Sequence, residues 1–218
     1  MKVGTDAVLL GAWVDLSNTQ RVLDIGTGSG IIALMMAQRS SGLADIEAIE
    51  PDTESARQAK ENILNSPWKG KISVHETSLQ NYNTTFLFDL IVSNPPFFVN
   101  SQLPPQVRRS NARHTQNLSH QELIHHIIRL LAPHGRFAVI LPTEEGLQFQ
   151  TLALAHQLHV RRQLSFFSRD SKPQERWLFE FSFEQGKKLT ETLVLHAEGE
   201  AWSDAYQQLT REFYLHIV

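Results

Sequence analysis

The chain has 218 residues, 41% hydrophobic and 20% charged, with a net charge of −3 and no cysteine. That length and balance fit one large α/β domain or two small ones with room for a sizeable core. They exclude disulfides, thiolate nucleophiles, cysteine metal sites and any overall electrostatic pull towards nucleic acid, so an RNA contact has to come from a local basic patch.

The N-terminal stretch MKVGTDAVLLGAW is broken by Gly11 and lacks the apolar core of a signal peptide. No apolar run approaches the ~18 residues that span a bilayer, so a cytoplasmic protein with no membrane contact is expected. Arg21 to Ile25 reads as a buried strand ahead of a glycine-rich turn, and Ile31 to Arg39 as a helix stopped by Ser40-Ser41-Gly42. Ile46 to Glu50 reads as a second strand. Helical spacing of Ala56, Ala59, Ile63 and Leu64 follows from Thr53 to Asn65. Ile72 to His75 and Phe88 to Ser93 are a third and a fourth strand. Leu118 to Leu131 is amphipathic, with Ser119 and Glu122 spaced as a capping box. Gly135 to Leu141 is a fifth strand and Gly146 to Gln157 a helix.

Val160 to Phe167 and Trp177 to Phe183 are both strand-like, and the charged, proline-containing stretch from Ser168 to Arg176 is too short for a helical crossover. They are expected to form an antiparallel hairpin, which gives a doubly wound, mostly parallel sheet with one reversed strand near its edge. Leu193 to His196 is one more short strand candidate, and Ser203 to Phe213 a terminal helix. With no repeat and no linker, one domain over residues 1–218 is the economical expectation.

The stretch VLDIGTGSGIIAL places Asp24 at a strand end with Gly26, Gly28 and Gly30 behind it. Glycines allow a tight turn and close approach to a ligand, and the free N–H groups of the next helix point into the same space. A dinucleotide fingerprint needs glycine at the first, third and sixth positions, and here the sixth is Ile31. That spacing disfavours a hydride-transferring nucleotide enzyme. Asp24 would repel a pyrophosphate but suits an ammonium group. Glu50, twenty residues beyond Gly30, can accept the hydroxyls of a ribose. A ligand with a ribose, a positive amine and no phosphate is S-adenosylmethionine.

A second motif, Ser93-Asn94-Pro95-Pro96-Phe97-Phe98, ends the fourth strand. In a doubly wound sheet this strand lies beside the first, so the motif opens onto the same crevice. The lone pair of an adenine exocyclic amine is delocalised into the ring. Two acceptors on its N–H bonds, the Asn94 side-chain oxygen and the Pro95 carbonyl, would favour its attack on a sulfonium methyl. Pro95 and Pro96 stiffen the turn, and Phe97 offers a stacking face for an extruded base. Taken alone, the motif is also compatible with a strand stopped by prolines above two core phenylalanines.

Together the two motifs resemble those of the amino-methyltransferases with an Asn-Pro-Pro-aromatic turn. More narrowly, KVGTDAVLLGAW, LDIGTGSGIIALMMAQR, NSPW, SNPPFF and the tail SDAYQQLTREFYLHIV resemble the bacterial tRNA(Val) adenine N6-methyltransferases across essentially the whole chain. The resemblance implies a seven-stranded sheet with one antiparallel strand, S-adenosylmethionine as cofactor and methylation of adenine 37, next to the anticodon. It implies that Asp24, Gly26, Gly28, Gly30 and Glu50 hold the cofactor. Asn94, Pro95, Pro96 and Phe97 match the catalytic turn, and Thr5 and Asp6 match a segment bordering the cofactor's methionine end. Where many relatives have an aspartate on the cofactor adenine, this chain has Thr77-Ser78-Leu79, leaving Ser78 as the candidate. Relatives carry roughly two dozen residues ahead of the Lys-Val-Gly-Thr-Asp stretch, which implies a shortened start and the loss of part of a lid or RNA surface.

From Ser101 to Leu118 there is no acidic residue, and the stretch carries Arg108, Arg109, Arg113 and His114. A basic loop at the mouth of a base pocket can grip tRNA phosphates, and an ordinary solvated loop would look the same. A second basic group, Arg161, Arg162, Arg169, Lys172 and Arg176, surrounds the hairpin, where edge strands also carry charge against aggregation. His125-His126 and His156 with His159 lack carboxylates at metal spacing, so no metal is expected. Phe166, Phe167 and Trp177 read as sheet core. A protein glutamine side-chain amide would need the same two acceptors, and a non-catalytic RNA-binding module could keep the same fold. The basic loop favours RNA over the first, and the intact turn favours catalysis over the second. A monomer is expected.

Overall fold

The structure is a computed structural model and describes residues 4–96, 118–197 and 199–214. Its strands are β1 (Arg21–Ile25), β2 (Asp45–Glu50), β3 (Ile72–Glu76), β4 (Phe88–Ser93), β5 (Leu131–Pro142), β6 (His159–Phe167), β7 (Arg176–Ser182) and β8 (Leu189–Val194). Its helices among the described residues are α1 (Thr5–Trp13), α2 (Ile31–Arg39), α3 (Thr53–Leu64), α4 (His120–Leu130), α5 (Thr143–Ala155) and α6 (Asp204–Thr210).

One eight-stranded sheet runs in the order β3-β2-β1-β4-β5-β7-β6-β8. The expected hairpin is present: β7 is antiparallel to both β5 and β6. Every other neighbouring pair is parallel, so β7 is the one reversed strand among the described residues. Among the described residues the count is eight where seven were expected. The extra strand is β8, which pairs in parallel with β6 from Arg162↔Leu189 to Phe167↔Val194. Its Thr190-Glu191-Thr192 centre hides it from a search for apolar runs, and only its end was anticipated. For the same reason β7 lies two strands in from that edge.

The chain doubles back after β3, so β1 has β2 on one side and β4 on the other. This is the switch point of a doubly wound sheet, where the crevice outside the carboxyl ends of the strands receives ligands. Alternation along each strand feeds two cores. Val22, Ala48, Leu90, Val92, Ala138 and Ile140 face a layer built with α1 and α2. Leu23, Ile25, Ile49, Ile91, Phe137 and Val139 face a layer built with α4 and α5.

Three helix starts obey local chemistry. Asp52 accepts from the Ser55 amide at the start of α3. Ser119 and Glu122 make both bonds of the capping box on α4, as the sequence predicts. Glu144 and Glu145 lie in the first turn of α5, where the helix dipole favours anions, and this start comes three residues earlier than expected. Helix α1 was not anticipated. Every residue from Ala7 to Trp13 is buried, so the segment has no polar face and no helical period to read. Arg39 caps its last turn, donating to the carbonyls of Gly11 at 2.9 Å and Val14 at 2.7 Å. Arg162 stacks over the Trp13 ring at 4.3 Å and pairs with Glu191 of β8 at 3.0 Å. Glu191 also accepts from the Trp13 indole at 2.9 Å.

Candidate active site

The glycine turn joins β1 to α2. Gly26, Gly28 and Gly30 adopt φ of 70°, 57° and 83°, the left-handed region that side-chain-bearing residues avoid. A Cβ built on Gly26 would meet nothing within 4 Å, so that glycine is needed for its backbone angle and faces open space. Gly30 is different, since its Cβ would lie 3.4 Å from Ala59 and 3.5 Å from Ile63 of α3. The turn is further held by the Asn62 side chain, which donates to the Ser29 carbonyl at 2.9 Å.

Asp24 and Glu50 are buried at 0% and 8% exposure. Asp24 Oδ2 accepts from the Thr27 hydroxyl at 2.5 Å and the Ala33 amide at 3.2 Å. Its Oδ1 has no hydrogen-bond partner among the described residues. Burial pushes the Asp24 carboxyl up from 3.8 to about 7, against those two hydrogen bonds and assisted by the charge of Glu50. Glu50 accepts from the Gly28 amide at 2.8 Å and the Asp52 amide at 3.0 Å. Each Glu50 oxygen takes one N–H and keeps a lone pair for another donor. Two carboxylates at one turn would repel a phosphate and can hold a cation.

Ser78 follows the end of β3, whose last residue pairs with Glu50. Its hydroxyl is buried and has no partner among the described residues. Asp24, the glycines, Glu50 and Ser78 therefore meet at the carboxyl ends of three adjacent strands. An orphaned carboxylate oxygen, an acidic residue with spare lone pairs, an orphaned hydroxyl and an open glycine face fit a ligand with an ammonium, a diol and a base. S-adenosylmethionine has all three.

Asn94 stands one residue past the end of β4, and the register Ile25↔Ser93 puts it beside the first glycine. Asn94 is half-buried, Pro95 buried and Pro96 exposed. Thr5 is exposed at the start of α1. The Asp6 carboxylate is held by Arg176 of β7 at 2.9 Å, which places it at the reversed strand. Phe97, Arg108, Arg109, Arg113 and His114 lie outside the described residues. Within the second basic group, Arg162 pairs with Glu191, Arg169 with Glu200 and Arg176 with Asp6. These partners are far away in sequence, and they commit three of the five side chains to ion pairs within the chain. Phe166 is buried, while Trp177 is half-buried and stacked on Phe179 at 5.3 Å between ring centroids. No group of three metal-binding side chains occurs among the described residues, and no helix among them is long and apolar enough to cross a membrane. Ser93 was overlooked in the sequence; its only signal was a hydroxyl at the end of a buried apolar run.

The sheet order with its single reversed strand and the acid-flanked glycine turn are those of the class I methyltransferases, which use S-adenosylmethionine. The methyltransferase small domain family model matches residues 3–163. Among solved structures, a predicted O-methyltransferase from Agrobacterium tumefaciens aligns with a TM-score of 0.74 and 17% identity, covering 95% of this chain and 96% of that one. A glycopeptide N-methyltransferase complexed with S-adenosylmethionine aligns at 0.59 and 10% identity, covering 84% and 90%. A tRNA1(Val) (adenine(37)-N6)-methyltransferase of Bacteroides thetaiotaomicron is 42% identical over 217 residues, covering 100% of this chain and 92% of the relative. One of the same name from Aeromonas hydrophila is 43% identical over 215 residues, covering 99% and 91%. The chain belongs to the tRNA1(Val) (adenine(37)-N6)-methyltransferase family.

Proposed function

We propose that the protein methylates the exocyclic N6 amine of adenine 37 of tRNA(Val), acting as one cytoplasmic, monomeric domain over residues 1–218. The observation that carries this reading is the position of Asn94-Pro95-Pro96, one residue beyond β4 and next to the glycine turn across the Ile25↔Ser93 pair. Whole-chain identity to relatives of that name supports the choice of nucleotide.

When bound, S-adenosylmethionine supplies an electrophilic methyl group on its sulfonium. Asp24 and Glu50 would hold its ammonium and ribose ends, with Ser78 near the adenine and Thr5 and Asp6 bordering the methionine end. The Asn94 side-chain oxygen and the Pro95 carbonyl accept the two N–H bonds of the target amine. They draw nitrogen electron density out of the ring and aim the lone pair across the gap between the two turns. The transfer would exchange one S–C bond of the donor for one N–C bond on the target amine, with the surplus proton leaving to water afterwards, so no strong base would be required of the chain. The prolines hold both acceptors in place before the base arrives, so little reorganisation is needed at the moment of transfer. Phe97 stacks on the base, and Arg108, Arg109, Arg113 and His114 grip the flanking phosphates.

The test is incubation with methyl-labelled S-adenosylmethionine and total tRNA, followed by nucleoside mapping. Label in N6-methyladenosine at position 37 of tRNA(Val) is expected. Label in protein instead of RNA would overturn the reading in favour of an amide substrate.

A further inference from the structure

The proposed reaction requires the methyl donor and the target amine to be aligned across two turns on neighbouring strands. The ladder between β1 and β4 ends at Ile25↔Ser93, and beyond it no strand pairing fixes the spacing. Ser93 is 1% exposed at the end of the apolar run Leu90-Ile91-Val92. A buried hydroxyl without a partner is costly, and among the described residues this one has one specific bond. Ser93 Oγ donates to the Ile25 carbonyl at 3.1 Å.

That carbonyl belongs to the peptide joining Ile25 to Gly26, the first unit of the glycine turn. The N–H of the same peptide, on Gly26, donates to the Ile49 carbonyl of β2 at 2.9 Å. The peptide plane that starts the donor turn is therefore pinned from both sides, by β2 through its N–H and by β4 through its C=O. The β4 pin is a side chain directly preceding Asn94.

We propose that Ser93 is a positioning residue for methyl transfer: its hydroxyl fixes the glycine turn relative to the Asn94 amide. The inference rests on the roles of the glycine turn and Asn94 in the proposed function. Alanine at this position keeps the strand and removes only the pin. A small misplacement between reacting groups is expensive in rate because the catalytic advantage comes from pre-alignment. Cofactor binding depends on Asp24, Glu50 and the turn itself, and these are retained.

The experiment compares the parent, Ser93→Ala, Ser93→Thr and Asn94→Ala with total tRNA as acceptor. For Ser93→Ala, kcat is expected to fall about tenfold, with KM for tRNA and the calorimetric Kd for S-adenosylmethionine within about twofold of the parent. Ser93→Thr keeps the hydroxyl and should return kcat to within about threefold of the parent. In the cofactor-free protein, hydrogen exchange at the Gly26 amide should speed up about tenfold in Ser93→Ala, while amides in the middle of β1 stay unchanged. A parental kcat in Ser93→Ala overturns the inference. So does an unchanged Gly26 exchange rate, or a loss of kcat matched by an equal loss of cofactor affinity. Full activity in Asn94→Ala would instead sink the underlying assignment, whatever Ser93 does. An inactive Asn94→Ala beside a fully active Ser93→Ala would sink the positioning role alone.

Discussion

Asp24→Asn separates what the glycine turn needs for stability from what it needs for binding. The Asp24 carboxyl titrates near 7 in the folded protein because of its burial, and at its ordinary 3.8 when unfolded. Its contribution to stability is therefore fully present below 3.8 and is lost as the pH rises through 7. At about 1.4 kcal/mol per unit, the ionised buried carboxylate costs roughly 4 kcal/mol above pH 7. Asparagine does not ionise. It keeps one oxygen for the Thr27 hydroxyl and the Ala33 amide, as the protonated acid does. The variant should thus be more stable than the parent by about 4 kcal/mol at about pH 8. The advantage should shrink by about 2 kcal/mol on going to about pH 5.5, where the parent carboxyl is protonated. Urea unfolding of both proteins at the two pH values measures this. Calorimetry at the higher pH should show S-adenosylmethionine binding weakened about 10- to 100-fold, the loss of one charge-assisted bond. A stability difference that is the same at both pH values, or parental affinity in the variant, would refute the reasoning.

In the parent, the same titration predicts that the Kd for S-adenosylmethionine rises about tenfold over the first unit below pH 7 and levels off at the loss shown by the asparagine variant, because the proposed contact with the ammonium needs the ionised carboxylate; calorimetry across that range checks it. Asn94→Ala should lower kcat by about 10²- to 10³-fold, the loss of one oriented transition-state contact, with cofactor Kd unchanged; steady-state kinetics would contradict this by returning the parent rate. Replacing Arg108, Arg109 and Arg113 by glutamine should reduce the slope of log K for tRNA against log salt by about 2, from roughly 0.7 per lost phosphate contact. An unaltered slope in filter binding would place the RNA site elsewhere. Arg176→Ala should cost about 1–2 kcal/mol, since it leaves the half-buried Asp6 without its ion pair. A double-mutant cycle with Asp6→Ala would disprove the pairing by showing no coupling.

The two turns of the candidate site are legible in the sequence because their signals are local. Gly26, Gly28 and Gly30 declare a turn through their spacing, and Asn94 with its two prolines declares a stiff strand end. The sheet order that brings them together follows from strands and helices in alternation. What escaped depended on distant partners. Helix α1 is buried on all sides, so no polar face marks it. Arg162, Arg169 and Arg176 looked available for RNA because Glu191, Glu200 and Asp6 stand far from them in the chain. Ser93 carries no local sign of its bond because its acceptor, Ile25, is 68 positions away.

The eighth strand has a consequence for the protein in solution. Without it, β6 would form the rim of the sheet, offering Leu164 and Phe166 on a row of unsatisfied backbone groups that a second chain could extend. With β8 in place the rim is Leu189-Thr190-Glu191-Thr192-Leu193-Val194, and the Glu191 carboxylate turns inward onto Arg162 and the Trp13 indole. A strand from another molecule docking there would meet threonines and the flank of a committed ion pair, a poor template for continued growth. The same acid that ties α1 to the sheet thus also helps the sheet to end.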